Sequence, residues 1–314
     1  MLYPFKLDLA RSRVLRIEMD EAAFRAASFL DDRIVTPSTR GGWVSLADFE
    51  AVAPPGPARP LHFIFHTGHV GSTLVSRLLD ITGPVLPLRE PLPLRTLAAA
   101  TGDPRFQALL ALFIRHWRSG PGTTRTVIVK ATSSVARIAP ALLDAAADAR
   151  AIYLNVRAEP YLATLLAGEN SWMDLRGHAA ERLQRLAAHV GAALPTPESL
   201  SPGELVAASW LAETTTQRTV LGRHPGRVLP VDFEAFLADA GGHLRAILAH
   251  FDLPSDAATL ERILGSPVLT RYSKAPEHPY DPALRTAVLD QARREHRAEI
   301  IKGLRLLGRL GVAA

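Results

Sequence analysis

The sequence predicts an α/β fold, with a central parallel sheet flanked by helices, and three observations carry that prediction. Short β-branched and aromatic runs at residues 61–65, 125–130 and 151–157 alternate with stretches of helical periodicity, the pattern of βαβ units. The first run is followed by a two-glycine turn and then a helix. The runs end in His66, Lys130 and Arg157, and in parallel sheets ligands bind beyond the carboxyl ends of the strands.

Composition limits the alternatives. The 314 residues are enough for one large domain, or a domain with an extension, and for a sizeable core. Apolar residues make up 47% and charged residues 21%, the balance of an ordinary globule. There is no cysteine, which excludes disulfides and thiol nucleophiles. The net charge of +5 is almost entirely arginine; the lysines are Lys6, Lys130, Lys274 and Lys302. Basic runs interleaved with aromatics are missing, which argues against a nucleic-acid partner, and a small polyanionic cofactor accounts for the charge equally well. The first twenty residues lack an apolar core of about 7–15 residues, and no apolar run approaches the ~18 residues of a membrane span. A cytoplasmic protein is expected.

Residues 1–58 read as an N-terminal extension and 59–314 as the main domain, divided at the proline-rich stretch Ala53-Pro54-Pro55-Gly56-Pro57. Within the extension, 21–30 reads as a short helix and 41–44 as a turn into a strand. In the main domain the strand at 61–65 leads through the glycine turn into a helix. Residues 84–90 form an extended segment ending at Glu90, because the residue before Pro91 is pushed out of helix. Helix is expected at 106–117, strand at 125–130, helix at 136–147 and strand at 151–157. The region 159–222 reads as largely helical, 227–231 as a fourth strand and 242–251 as a helix. Residues 269–281 form a polar loop, and Pro282 opens a long amphipathic helix to about Leu310.

The turn is the stretch His66-Thr67-Gly68-His69-Val70-Gly71-Ser72-Thr73-Leu74. Strand, glycine turn, hydroxyl pair and helix make a phosphate cradle, since backbone N–H groups and the helix N-terminus converge on one spot. A Walker A loop would place lysine after Gly71, where Ser72 stands. Gly71-Ser72-Thr73-Leu74 followed by Arg77-Leu78-Leu79 resembles the 5′-phosphosulfate loop of sulfotransferases that use PAPS (3′-phosphoadenylyl sulfate), which reads P-[KR]-S-G-T-T ahead of an apolar helix. In this chain His69 stands where that family has its catalytic Lys or Arg, and Val70 replaces the Ser. The motif spacing is similar to that of tyrosylprotein-type and bacterial members.

The resemblance implies a three-layer, P-loop NTPase-like domain that binds PAPS, with PAP as product, through Gly68, His69, Val70, Gly71, Ser72 and Thr73. It implies transfer of a sulfuryl group to a hydroxyl or amine on a small-molecule, carbohydrate or peptide acceptor. Glu90, twenty-one residues after His69 (90 − 69), resembles the family's general base. A carboxylate at a cleft can take a hydroxyl proton at neutral pH; His66 and His69 are competing bases. Lys130 matches a lysine that ends the second strand and contacts the phosphosulfate, and with His69 it is expected to stabilise the leaving group. Arg157 and Thr164 resemble the 3′-phosphate grip, in which a guanidinium donates two parallel bonds. Ser273 and Lys274 resemble the late loop that closes over the cofactor. Glu234 reads as architectural. No metal is required, because protein cations do the neutralising. Two other readings stand beside this one: an ATP/Mg-dependent phosphotransferase, with Asp232 as its one strand-end carboxylate, and a non-catalytic nucleotide-binding module.

Overall fold

The computed structural model describes residues 1–54, 56–273, 277, 279 and 282–311. The chain begins with β1 (Leu2–Asp8), β2 (Arg13–Glu18), α1 (Glu21–Ala26), β3 (Gly41–Ser45) and α2 (Leu46–Ala51). The three strands pair antiparallel in the order β1-β2-β3. The hairpin of β1 and β2 went unread in the sequence, although Tyr3, Phe5 and Leu7 alternate along one face and are buried. Helix α1 stops at Ala26, four residues short of the expected Leu30. The buried guanidinium of Arg89 takes the carbonyls of Arg25 at 3.1 Å and Ala27 at 2.9 Å, so these groups are satisfied without another helical turn.

Next come β4 (Leu61–His66), α3 (Ser72–Asp80), β5 (Val85–Arg89), α4 (Leu92–Ala99), α5 (Phe106–Trp117) and β6 (Thr126–Lys130). They are followed by α6 (Ala139–Ala145), β7 (Ala151–Asn155), α7 (Ala158–Leu166), α8 (Glu169–Val190), α9 (Pro202–Arg223) and β8 (Val228–Asp232). The last elements are α10 (Phe233–Ala238), α11 (Ala240–His250), α12 (Ala257–Leu264), α13 (Pro282–Glu295) and α14 (Arg297–Arg309).

Five strands form a parallel sheet in the order β5-β6-β4-β7-β8. The chain leaves β4 for one edge and later returns to fill the other. That reversal at β4 opens a crevice at its carboxyl end. The sheet's two faces feed two cores. Ile64, Ile128, Ile152 and Leu154 pack against α3, α7, α9 and α14. Phe63, Phe65, Val127, Val129 and Tyr153 pack against α4, α5, α6 and the N-terminal sheet. The fold class is therefore the expected one, an α/β sheet with helices on both faces.

Two further helices differ from expectation. The helix at 136–147 is a 3-10 turn, Ser133–Ile138, followed by α6. Pro140 has no N–H and fits only the first turn of a helix, so the helix restarts around it. The long C-terminal helix is two, α13 and α14, broken at His296. The break turns α14 onto α9, where Gly303 and Gly203 meet without room for a Cβ on either. Glu299 Oε2 accepts from Gly203 N–H at 2.9 Å, capping α9 from the other helix.

Candidate functional site

The crevice beyond β4 is a cleft of about 450 Å³. Its floor is the turn from His66 to Thr73. His66, at the end of β4, is buried and uses both ring nitrogens on backbone: Gly68 N–H donates to Nδ1 at 3.1 Å, and Nε2 faces the Ala131 carbonyl at 2.9 Å. Since Nδ1 accepts, the proton is assigned to Nε2, and the neutral ring ties the turn to the end of β6. The Tyr161 hydroxyl donates to Thr67 O at 3.2 Å from α7, and burial pushes its pKa up to about 12.

The turn reaches α3 through three residues with positive φ: Gly68 at 101°, His69 at 54° and Gly71 at 70°. Gly71 is the N-cap of α3, and a Cβ there would run into the Phe233 ring. No other residue meets both demands, left-handed backbone and no side chain. The first intrahelical bond runs from Val75 N–H to Gly71 O, so the N–H groups of Ser72, Thr73 and Leu74 lie ahead of the helical ladder and face the cleft. Ser72 and Thr73 are both buried. The Thr73 hydroxyl is buried without a hydrogen-bond partner among the described residues.

Glu90 and Lys130 meet on the neighbouring wall. Lys130 ends β6, is 1% exposed, and donates to Glu90 Oε1 at 2.5 Å. Glu90 N–H bonds Lys130 O at 2.7 Å, so backbone and side chain hold the two together. Glu90 takes φ 56°, and a non-glycine residue in that region carries strain of about 1–3 kcal/mol of the kind that gathers at functional sites. Among the described residues only Ser12, His69, Glu90 and Asp252 do so, and two of the four line this cleft.

His69, Val70, Gly71, Ser72, Thr73, Glu90, Lys130, Thr164 and Ser273 all line the cleft. Gly68 and Arg157 do not: the Gly68 N–H is spent on His66, and Arg157 is the exposed N-cap of α7. The Thr164 hydroxyl donates to Pro160 O at 2.8 Å. Lys274 lies outside the described residues. Asp232 caps α10, its Oδ1 accepting from Ala235 N–H at 2.9 Å.

Several lining residues carried no signal in the sequence. Phe233, Tyr272, Leu284 and Val288 form an apolar outer wall, beside Arg271 and Arg285. Arg285 pairs with Glu234 at 2.5 Å and lies 5.6 Å from the Phe233 ring centre. Behind the turn, Arg182 of α8 and Glu213 of α9 form a buried pair at 3.0 Å, with Arg182 also 3.5 Å from the Ser133 hydroxyl. Burial alone would lower the Arg182 pKa; the adjacent Glu213 carboxylate more than offsets it and raises it. These residues are scattered along the chain, so no spacing could have grouped them.

No protein-family model matches this chain, and no curated protein does either. Solved structures that it resembles include sulfotransferases. A sulfotransferase from Mycobacterium avium is 13% identical with a TM-score of 0.44, over 76% of this chain and 77% of that one. One from Alicyclobacillus acidocaldarius is 16% identical with a TM-score of 0.41, over 82% and 98%. A mouse sulfotransferase complexed with PAP is 11% identical with a TM-score of 0.42, over 84% and 93%. At identities this low the site has to be judged on its own side chains.

Proposed function

We propose that this protein transfers a sulfuryl group from PAPS to a hydroxyl or amine acceptor. The observation that carries the reading is one cleft that joins an anion cradle to a buried Lys130–Glu90 pair. The residues present fit the cofactor's phosphosulfate: the α3 N-terminus faces the cleft, and the Thr73 hydroxyl is a buried group without a partner among the described residues. PAPS, when bound, would supply the electrophilic sulfuryl group, and its 5′-phosphate would be the leaving group, departing as PAP when the S–O bond to it breaks.

The chain's own groups then divide the work. His69, Val70, Gly71, Ser72 and Thr73 bind and orient through the turn's backbone and hydroxyls, while Gly68, its N–H held by His66, shapes the turn. Glu90 takes the proton of the acceptor hydroxyl. Protonation of Glu90 weakens its hold on the Lys130 ammonium, which is then available to negative charge developing in the cleft. In so dry a wall that charge is worth more than in water. His69 adds to it when protonated. Arg157, Thr164, Ser273 and Lys274 are assigned to the nucleotide's remaining phosphate and sugar, supported for Thr164 and Ser273 by their place on the cleft wall. Protein cations do the neutralising, so no metal enters this reading. No helix among the described residues is long and apolar enough to cross a membrane; a small-molecule acceptor, no nucleic-acid partner and a cytoplasmic setting belong to the same proposal.

Calorimetric titration with PAP, with ATP plus Mg²⁺ as the comparison, tests it. PAP binding without metal is expected. Binding of ATP–Mg²⁺ in its place would move the protein to phosphoryl transfer, and no binding of either would leave an interaction module.

A further inference from the structure

With the cradle side of the cleft given to the donor, an acceptor has to meet Glu90 from its other flank. The side chains there come from the N-terminal segment and α4. Arg95 of α4 donates to Glu90 Oε2 at 3.4 Å and lies 4.0 Å from Asp31. Asp31 holds Arg33 through Nε at 2.8 Å and Nη2 at 2.5 Å. The Arg33 guanidinium stacks on Phe29, 4.1 Å from the ring centre, and Lys130 Nζ lies 5.6 Å from the same centre.

The segment that carries Phe29 and Arg33 is fixed in place. Leu30 N–H bonds Arg89 O at 2.7 Å, at the end of β5. The Ser28 hydroxyl accepts from Arg77 of α3 at 2.7 Å, and the same guanidinium donates through Nε to Ser273 O at 2.7 Å. Arg77 therefore ties the N-terminal segment and the late loop to the cradle helix. The charges do not cancel: Lys130, Arg33 and Arg95 face Glu90 and Asp31. They also differ in access. The Arg33 and Arg95 side chains are 63% and 46% exposed, while Asp31 is 11% exposed. The carboxylate is sequestered and the guanidiniums face outward, a surface that attracts an anion.

We propose that residues 28–33 and Arg95 form the acceptor subsite, and that its acceptor is a small hydroxy acid. The hydroxyl lies at Glu90, the carboxylate on the exposed outer edges of Arg33 and Arg95, whose inner edges Asp31 holds, and the body of the molecule along Phe29. This rests on the sulfuryl-transfer reading, since it takes Glu90 as the base. It also gives the N-terminal extension a role in the site.

The test is ligand-observed NMR on the full chain, with and without saturating PAP, using matched pairs such as 4-hydroxyphenylacetate and 4-hydroxyphenylacetamide. The acid is expected to bind at least tenfold more tightly than the amide. The double variant Arg33→Gln/Arg95→Gln is expected to bring the acid down to the amide level while PAP affinity holds. Arg95→Gln alone, at a half-exposed position, gives the same readout in a smaller step should the double variant lose its fold. Equal binding of acid and amide, binding of neither, or an acid affinity that ignores both substitutions overturns the subsite. PAP titrated into the same samples decides the cofactor reading separately. Acid binding with no PAP binding would leave the subsite and remove sulfuryl transfer.

Discussion

At the residue scale the site depends on a few atoms that are hard to replace. Glu90→Gln keeps the shape of the carboxylate and removes its basicity, so turnover is expected to fall by about 10²–10⁴-fold while PAP affinity changes little. Steady-state rates beside a PAP titration check this, and a fully active variant would remove Glu90 as the base. Arg157→Ala is expected to weaken PAP far more than adenosine 5′-phosphosulfate, which lacks the 3′-phosphate; equal losses for both would sink that assignment. Gly71→Ala puts a methyl group into the Phe233 ring on a backbone with φ 70°. A loss of about 1–3 kcal/mol is expected in chemical denaturation, along with loss of PAP binding. The place of Glu90 on the cleft was expected from the resemblance in motif spacing alone. The positive φ it adopts could not be read in the sequence, since the pairing of β5 with β6 brings Glu90 N–H to Lys130 O.

At the element scale, the join between the N-terminal segment and the sheet runs through Arg89. This side chain is fully buried. It bonds Ser76 at 3.1 Å and Asp80 at 2.9 Å in α3, and carbonyls at the end of α1. Burial pulls its pKa down to about 10, yet it stays charged at neutral pH, where Asp80 offsets the desolvation. Arg89→Met would leave the carbonyls without their donor and take from Asp80 one of the two guanidiniums it pairs with, the other being Arg25. The expected cost is about 3–5 kcal/mol, read as an earlier denaturant midpoint, with cleavage of residues 1–58 early in limited proteolysis. A midpoint within experimental error of the parent would show that α1 is held by its apolar contacts alone. The same side chain explains why α1 ends early. That end is set by a strand some sixty residues away, beyond the reach of any local propensity.

For the whole molecule, the first fifty residues share one core with the sheet. Phe5, Leu7, Val14, Ile17, Met19, Phe24, Leu30, Leu46 and Phe49 are buried together with Phe63 and Phe65. Removing them would expose the apolar face of the sheet around Phe63 and Phe65. A chain of residues 59–314 alone is therefore expected to lack a cooperative unfolding transition by calorimetry, and a sharp transition near that of the full chain would show two independent units. Buried histidines are expected to contribute to the acid limit of stability. Burial lowers His62 to about 4, with Arg150 adding to the effect, and His116 likewise to about 4. An unfolded histidine takes its proton near pH 6.5, so the unfolded chain binds more protons between about pH 6.5 and 4. Stability contributed by each ring is complete above that window and falls as pH drops through it. His62→Phe, which keeps the stacking on Phe251, is expected to flatten the acid limb of the stability profile; an unchanged limb would clear His62 of the effect.

In the main domain the alternation of the sheet's strands with helices, the glycine turn and the charged residue ending β6 were legible because they depend on neighbours within a few residues. Periodicity, proline placement and glycine spacing are local properties, and they were enough to define an α/β sheet with a glycine turn at the end of β4. Which strands adjoin, and therefore that Glu90 meets Lys130, is settled by sheet order. Arg95, Arg33 and Phe29 reach the same corner because the N-terminal sheet and α4 pack on one face of that sheet. The break at His296 lets Gly303 close on Gly203, a packing contact about a hundred residues apart in the chain. Local chain stiffness fixed the elements. Burial of apolar surface, which has no memory of sequence distance, decided which of them share a wall.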